Sequence, residues 1–98
     1  MKFEWDKEKN KSNMRRHRIS FEDAKTVFKD ENLIIIFDDE NSIFEERFNA
    51  IGEDLIYRRL LVCHCYRSEN DGEEIIRIIS ARIANKNEIK IYERGLGL

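Results

Sequence analysis

The chain has 98 residues, enough for one domain with its own core and no need of disulfides or metal. Charged residues make up 39% of it beside 41% hydrophobic, so much of the surface is ionic, while a net charge of −2 excludes a general polyanion binder. No apolar run reaches membrane length and no leader-like segment opens the chain, so a single cytoplasmic domain over 1–98 with no membrane partner is expected.

In chain order, "KFEW" alternates polar and apolar residues and could form a short strand. Asp6 then offers an N-cap to a polar helix over 7–16, where only Met14 and lysine stems can pack. "SFEDAKTVF" carries Ser20 and Asp23 in a capping-box spacing, and sets Phe21, Ala24, Val27 and Phe28 on one helical face. "LIIIF" (33–37) is a β-branched run closed by the turn-forming "DDEN". "IFEERFNAIG" (43–52) alternates as a strand, with Phe44, Phe48 and Ala50 on one face and Glu45, Arg47 and Asn49 on the other. "YRRLLVCHCY" (57–66) reads as a central strand, and Asp71-Gly72 favours a hairpin to "EEIIRIIS" (73–80). "ANKNEIKIYE" (84–93) has Ala84, Glu88, Ile91 and Tyr92 at helical spacing, with Gly95 as a stop. The expected fold is α+β: two N-terminal helices, a four-stranded antiparallel sheet and a C-terminal helix. The helices are expected on one sheet face, leaving the other open.

Charge is distributed in three parts. Residues 1–19 carry a net +4, residues 20–56 a net −8 and residues 57–98 a net +2. Nucleic acid could therefore be met only by a local patch that the fold assembles, and the acidic segment 30–54 is a candidate docking surface or a solvated face. Cys63-His64-Cys65 does not read as a metal site, because a strand points His64 away from both cysteines. Buried thiols and a hydrogen-bonded His64 are expected, with no cofactor.

Five blocks in order carry a resemblance: "F-E-W-D-x-x-K-x-x-x-N" at 3–13 followed by His17, "S-F-E-D-A-x-x-V-F-x-D" at 20–30, "E-E-R-F-x-x-I-G" at 45–52, and "R-I-I-S-A-R-x-A" at 77–84 followed by Glu88 and Tyr92. They resemble the BrnT toxin family. The resemblance implies a RelE-like fold and a type II toxin, a metal-independent ribonuclease that arrests translation. It also implies a BrnA-like ribbon-helix-helix antitoxin as partner, RNA as substrate and operator DNA contacted only through the antitoxin. A homodimer within the toxin–antitoxin complex is left open. Two places depart from the family pattern: Arg16-His17-Arg18 stands in place of Lys-His-Gly, and Tyr57-Arg58-Arg59 in place of Gly-Arg. An arginine at position 18 takes a left-handed helix stop at a cost of about 1 kcal/mol.

Cleaving RNA without metal requires deprotonation of the 2′-hydroxyl, charge stabilisation on the phosphorane and protonation of the 5′-oxygen. Arginine suits the second task because its fork matches phosphate oxygens. Arg77, Arg47 and Arg82 are the candidate clamp, and His17 a candidate general acid or base. Each has a structural alternative: salt bridges from Arg47 or Arg77 to Glu45, Glu46 or Glu74, neutralisation of Arg82 by Glu88 or an acidic residue of the middle segment, and packing of His17 at a helix end. Parity sets Arg77 beside Ile75 and Ile79, which conflicts with an open-face position. Glu46 is a further candidate for proton transfer. Arg58, Arg59 and Tyr92 are candidate RNA contacts, Tyr92 alternatively packing on the sheet. Phe3, Trp5, Phe21 and Phe28 are assigned to the core. A second function class stays open: a catalytically weak interaction module acting as antitoxin-bound co-repressor.

Overall fold

In the computed structural model, which describes residues 1–98, Asp6 ends strand β1 (Lys2–Glu4) and starts helix α1 (Lys7–His17). Its carboxylate accepts the N–H groups of Glu8 at 2.8 Å and Lys9 at 3.1 Å, which leaves the helix no other place to begin. Arg18 ends α1 in the left-handed region at φ 59°, its N–H donating to the Met14 carbonyl at 3.0 Å. A glycine reaches that conformation without the Cβ clash, though it also gives the unfolded chain more freedom. Arg18→Gly is expected to stabilise by about 0.5–1 kcal/mol and raise Tm by roughly 3–6 °C. An unchanged or lower melting curve would contradict this account of the helix stop.

Helix α2 (Phe21–Ala24) is capped by Ser20 and lasts a single turn before tightening into a 3-10 segment, Lys25–Lys29. The sheet has five strands: β1, β2 (Ile34–Phe37), β3 (Phe48–Glu53), β4 (Arg59–Ser68) and β5 (Glu74–Ile83), in the order β1-β5-β4-β3-β2. Strands β2 to β5 form the expected antiparallel meander, but β1 adds a parallel edge on β5, with Phe3 opposite Ile76. The expected four-stranded antiparallel sheet is thus corrected to a five-stranded mixed one. Residues 43–47 do not extend β3 as their alternation suggested. Phe44 is 99% exposed, because the chain bends there around the Ser42 hydroxyl, which accepts the Arg47 N–H.

One face of the sheet holds the core. Ala50, Leu60, Val62, Ile76, Ile78 and Ala81 pack there under Phe21, Ala24 and Val27, with Phe3, Trp5 and Phe28 at the margin. Gly52 lets the 3-10 segment approach β3, since a Cβ there would sit 3.0 Å from Leu33 Cδ1 and 3.2 Å from Val27 Cβ. Helix α3 (Lys86–Gly95) departs from expectation by covering one end of the opposite face. Ile51, which points away from the core, is fully buried, and Gly95 comes against Ile34, its partner on β2. Tyr92 fixes this docking by donating to Asp30 at 2.6 Å. The second face therefore stays open only between α3 and the β4–β5 hairpin.

Helix α1 lies along β5 beyond the reach of β1, and Asn13 is its attachment. The buried Asn13 amide donates to the Ala81 carbonyl at 2.8 Å and the Ile19 carbonyl at 2.9 Å, and accepts the Ala81 N–H at 3.1 Å. One side chain thereby replaces a missing strand partner.

Candidate functional site

A bulge decides which arginines can act together. Cys63 pairs with Ser80 and His64 with Ile78, so Ile79 is an extra residue in β5. Arg77 and Arg82 are five positions apart and would face opposite ways on a regular strand. With Ile79 interposed, they pair with Cys65 and Leu61, which share a face. The parity conflict over Arg77 is resolved by this bulge, and Arg77 stands on the open face at 39% side-chain exposure. Arg47 borders the same face beside Asn49 and Cys63.

Two adjoining basins occupy this face and share Ile79, Ser80 and Arg82. The first, of about 520 Å³, lies between α1 and β5 and is lined by Lys9, Ser12, Asn13, Arg16, His17 and Ala81 besides the shared residues. No carboxylate borders it. The second, of about 380 Å³, adds Arg47, Asn49 and Cys63 from β3 and β4, with Asp38 and Glu40 on its rim. Lys9, Ser12, Asn13 and Arg16 recur at helical spacing, so one stripe of α1 forms the wall, and Lys9 and Arg16 make no ion pair. The structure thus brings Arg82, Arg47 and His17 around one concavity. Arg77 lies outside its lining, four paired positions away on the same face, roughly 13 Å along the strand.

Each arginine of the expected clamp already meets an acidic side chain of this chain. Arg82 Nη1 and Nη2 bond Glu88 at 2.8 and 2.9 Å, while Glu88 also closes the capping box of α3 with Asn85. Burial alone would raise the Glu88 carboxyl, but the Arg82 bonds and the Asn85 N–H bring it below its ordinary value. The neutralising partner of Arg82 is therefore Glu88. Its Nε–H is not used in that pairing and remains for another acceptor. Arg47 meets Glu45 at 3.3 Å, as the salt-bridge alternative expected. Arg77 bonds Glu4 at 2.9 Å, a partner across the parallel β1 edge that the sequence alternatives did not contain.

Glu4 also accepts from Arg67, whose bonds, joined by those of Arg77, hold its carboxyl at about 2 against the opposing effect of burial. The folded value lies below the ordinary 4.5, so this stabilisation is complete above pH 4.5 and drains away as pH falls toward 2. Urea unfolding of Glu4→Gln beside the native chain is expected to show the native chain losing its advantage across that window. Parallel pH dependences of the two midpoints would contradict it.

The expected RNA contacts Arg58, Arg59 and Tyr92 do not border the concavity. Arg58 is engaged by Asp54 at 2.8 Å and Asp23 at 3.2 Å, holding the β3–β4 turn in which Tyr57 takes φ 66°. Arg59 lies between Glu53 and Glu93 and over the Tyr92 ring at 5.1 Å. Tyr92 is 1% exposed, so the expectation that it touches RNA is corrected to packing, with burial followed by the Asp30 bond pushing its hydroxyl well up. Glu46 is exposed in the bend before β3. His64 is buried as expected, between the Val62 carbonyl at 3.1 Å and the Tyr66 hydroxyl at 3.0 Å. Cys63 and Cys65 are free and buried, and burial raises both thiols. No group of three or more His, Cys, Asp or Glu stands close enough to hold a metal ion. No helix is long and apolar enough to cross a membrane.

A family model described as the ribonuclease toxin BrnT of type II toxin–antitoxin systems matches residues 5–88. The chain is also similar to the ribonuclease toxin BrnT of Brucella abortus, known from a crystal structure at 1.1 Å resolution. The two share 23% identity and superpose with a TM-score of 0.65, over 88% of this chain and 99% of that one, a likeness of fold. No curated protein matches the chain.

Proposed function

Since this chain belongs to the BrnT family of ribonuclease toxins of type II toxin–antitoxin systems, we infer that the concavity on its open sheet face is where RNA is bound and cut. The observation that carries this reading is the first basin. Four basic side chains, Lys9, Arg16, His17 and Arg82, converge there with two serines and no carboxylate, in a chain of net charge −2. A concave surface of one sign concentrates the opposite charge.

In this reading Lys9 and Arg16 track the RNA backbone, while Arg82, through its Nε–H, neutralises charge on the scissile phosphate. Arg47 approaches the same phosphate from the second basin, and Arg77 binds a neighbouring one along the strand. The 2′-oxygen forms its bond to phosphorus as the bond from phosphorus to the 5′-oxygen breaks. His17 accepts the 2′-hydroxyl proton, and solvent water supplies the proton that the departing 5′-oxygen takes up on the opposite side of phosphorus. No step requires a metal, and the outcome in the cell is arrest of translation. A BrnA-type antitoxin restrains the activity, and operator DNA is contacted by that antitoxin.

The test is incubation of the purified chain with single-stranded RNA in excess chelator. Cleavage leaving a 2′,3′-cyclic phosphate is expected. Binding should weaken with salt, and Lys9→Gln should lower the slope by about 0.7, the share of one single-strand phosphate. The pairing of Arg47, Arg77 and Arg82 with Glu45, Glu4 and Glu88 favours a second reading, a catalytically weak co-repressor. An intact substrate at high protein concentration would support that module and overturn the nuclease.

A further inference from the structure

Strand β2 is an edge without the usual protections. Only β3 pairs with it, and the register shows no bulge. Ile35, Ile36 and Phe37 are 44%, 39% and 43% exposed, and the next segment shows Ile43 and Phe44 at 80% and 99%. A free row of backbone donors and acceptors flanked by apolar side chains is a template for another strand. Natural edges discourage pairing with lysine, proline or a bulge, and this one has none.

Acidic residues bracket the edge. Glu31 precedes it, Asp38, Asp39 and Glu40 follow it, and Arg47 is the only basic residue between 30 and 54. A second copy pairing antiparallel would set Asp39 and Glu40 against the Glu31 end of its partner, like charge on like. An extended apolar segment with basic residues at both ends meets no such penalty. We propose that β2 is the docking edge for the antitoxin, which adds to the sheet an extended segment with apolar residues at its centre and Lys or Arg at its ends. This rests on the toxin–antitoxin reading and names the surface that the partner uses. The edge lies across β3 and β4 from the basin beside α1, so a chain paired there and continuing over the open face would cover the concavity.

The experiment co-expresses the full chain with the protein encoded in the adjoining reading frame and compares amide hydrogen exchange in the complex and the free chain. Amides of residues 34–37 are expected to become protected in the complex. Ile36→Lys is expected to weaken association by about tenfold or more, Ile36→Val to retain it, and Asp39→Asn to weaken it in a manner that salt abolishes. Circular dichroism confirms that each variant is folded. A complex that leaves 34–37 exchanging freely, or that tolerates Ile36→Lys, overturns the docking edge while leaving the family reading intact. Protection of these amides in the isolated chain as its concentration rises identifies self-pairing and also overturns it. Failure of the two proteins to associate at all overturns the antitoxin assignment, and the docking edge with it.

Discussion

Asn13→Ala is expected to lower the unfolding free energy by about 3 kcal/mol or more, the largest stability loss of any single polar substitution in this chain. The amide makes three hydrogen bonds in a site that is 5% exposed, two of them to Ala81 and one to Ile19. Alanine leaves a buried N–H and two carbonyls without partners, each costing roughly 1–3 kcal/mol unless water enters. Asn13→Asp is expected to do no better, since a carboxylate keeps the acceptor, loses both donors and brings in a buried charge. Domains of this size have only about 5–15 kcal/mol to lose, so α1 should release from β5 well before the sheet melts. Thermal unfolding with hydrogen exchange at Ala81 measures it. A Tm within about 2 °C of the native chain would show that Asn13 does not hold the helix.

Arg82→Ala is expected to reduce RNA cleavage by about 100-fold to 1,000-fold while the fold persists, the magnitude typical of removing one preorganised charge-stabilising donor. The substitution also releases Glu88, whose side chain is 16% exposed and would then repel an approaching phosphate. Glu88→Gln separates the two effects. It keeps Arg82 and removes the competing charge, so cleavage by that variant should equal or exceed that of the native chain. Equal rates for Arg82→Ala and the native enzyme would remove Arg82 from the chemistry. A loss in Glu88→Gln as deep as in Arg82→Ala would make Glu88 part of the mechanism rather than a resting partner.

The elements whose signals are local could be read from the sequence. Asp6 and Ser20 start helices, Asp71-Gly72 turns β4 into β5, and the apolar runs of β4 and β5 form the meander. Features that depend on distant partners could not. The parallel pairing of β1 with β5 is a contact between residues some seventy positions apart, and no short pattern announces it. Ile79 looks like any other strand isoleucine, yet as the bulge it reverses the facing of everything after it and brings Arg82 onto the face of Arg77. Asn13 was visible as a motif residue but not as a substitute strand partner, because Ala81 had no assigned edge. The wall formed by Lys9, Ser12 and Arg16 did carry a signal in its helical spacing. That spacing alone does not mark a binding wall, because the cleft opposite is supplied by β5. Arg58, Arg59 and Tyr92 fell the other way, since Asp23, Glu53 and Asp30, which engage them, lie in other elements; only Asp54, four positions before Arg58 in the same turn, is a local partner.

A titration with a 2′-O-methyl RNA oligonucleotide, which binds but lacks the attacking hydroxyl, tests the placement of the substrate most directly. Followed by nuclear magnetic resonance of arginine Nε–H groups and the histidine rings, it should shift Arg82, Arg47 and His17 together and saturably while Arg58 and His64 stay in place. Shifts confined to Arg58 and Arg59, with the resonances beside α1 unmoved, would put the RNA on another surface and contradict the account.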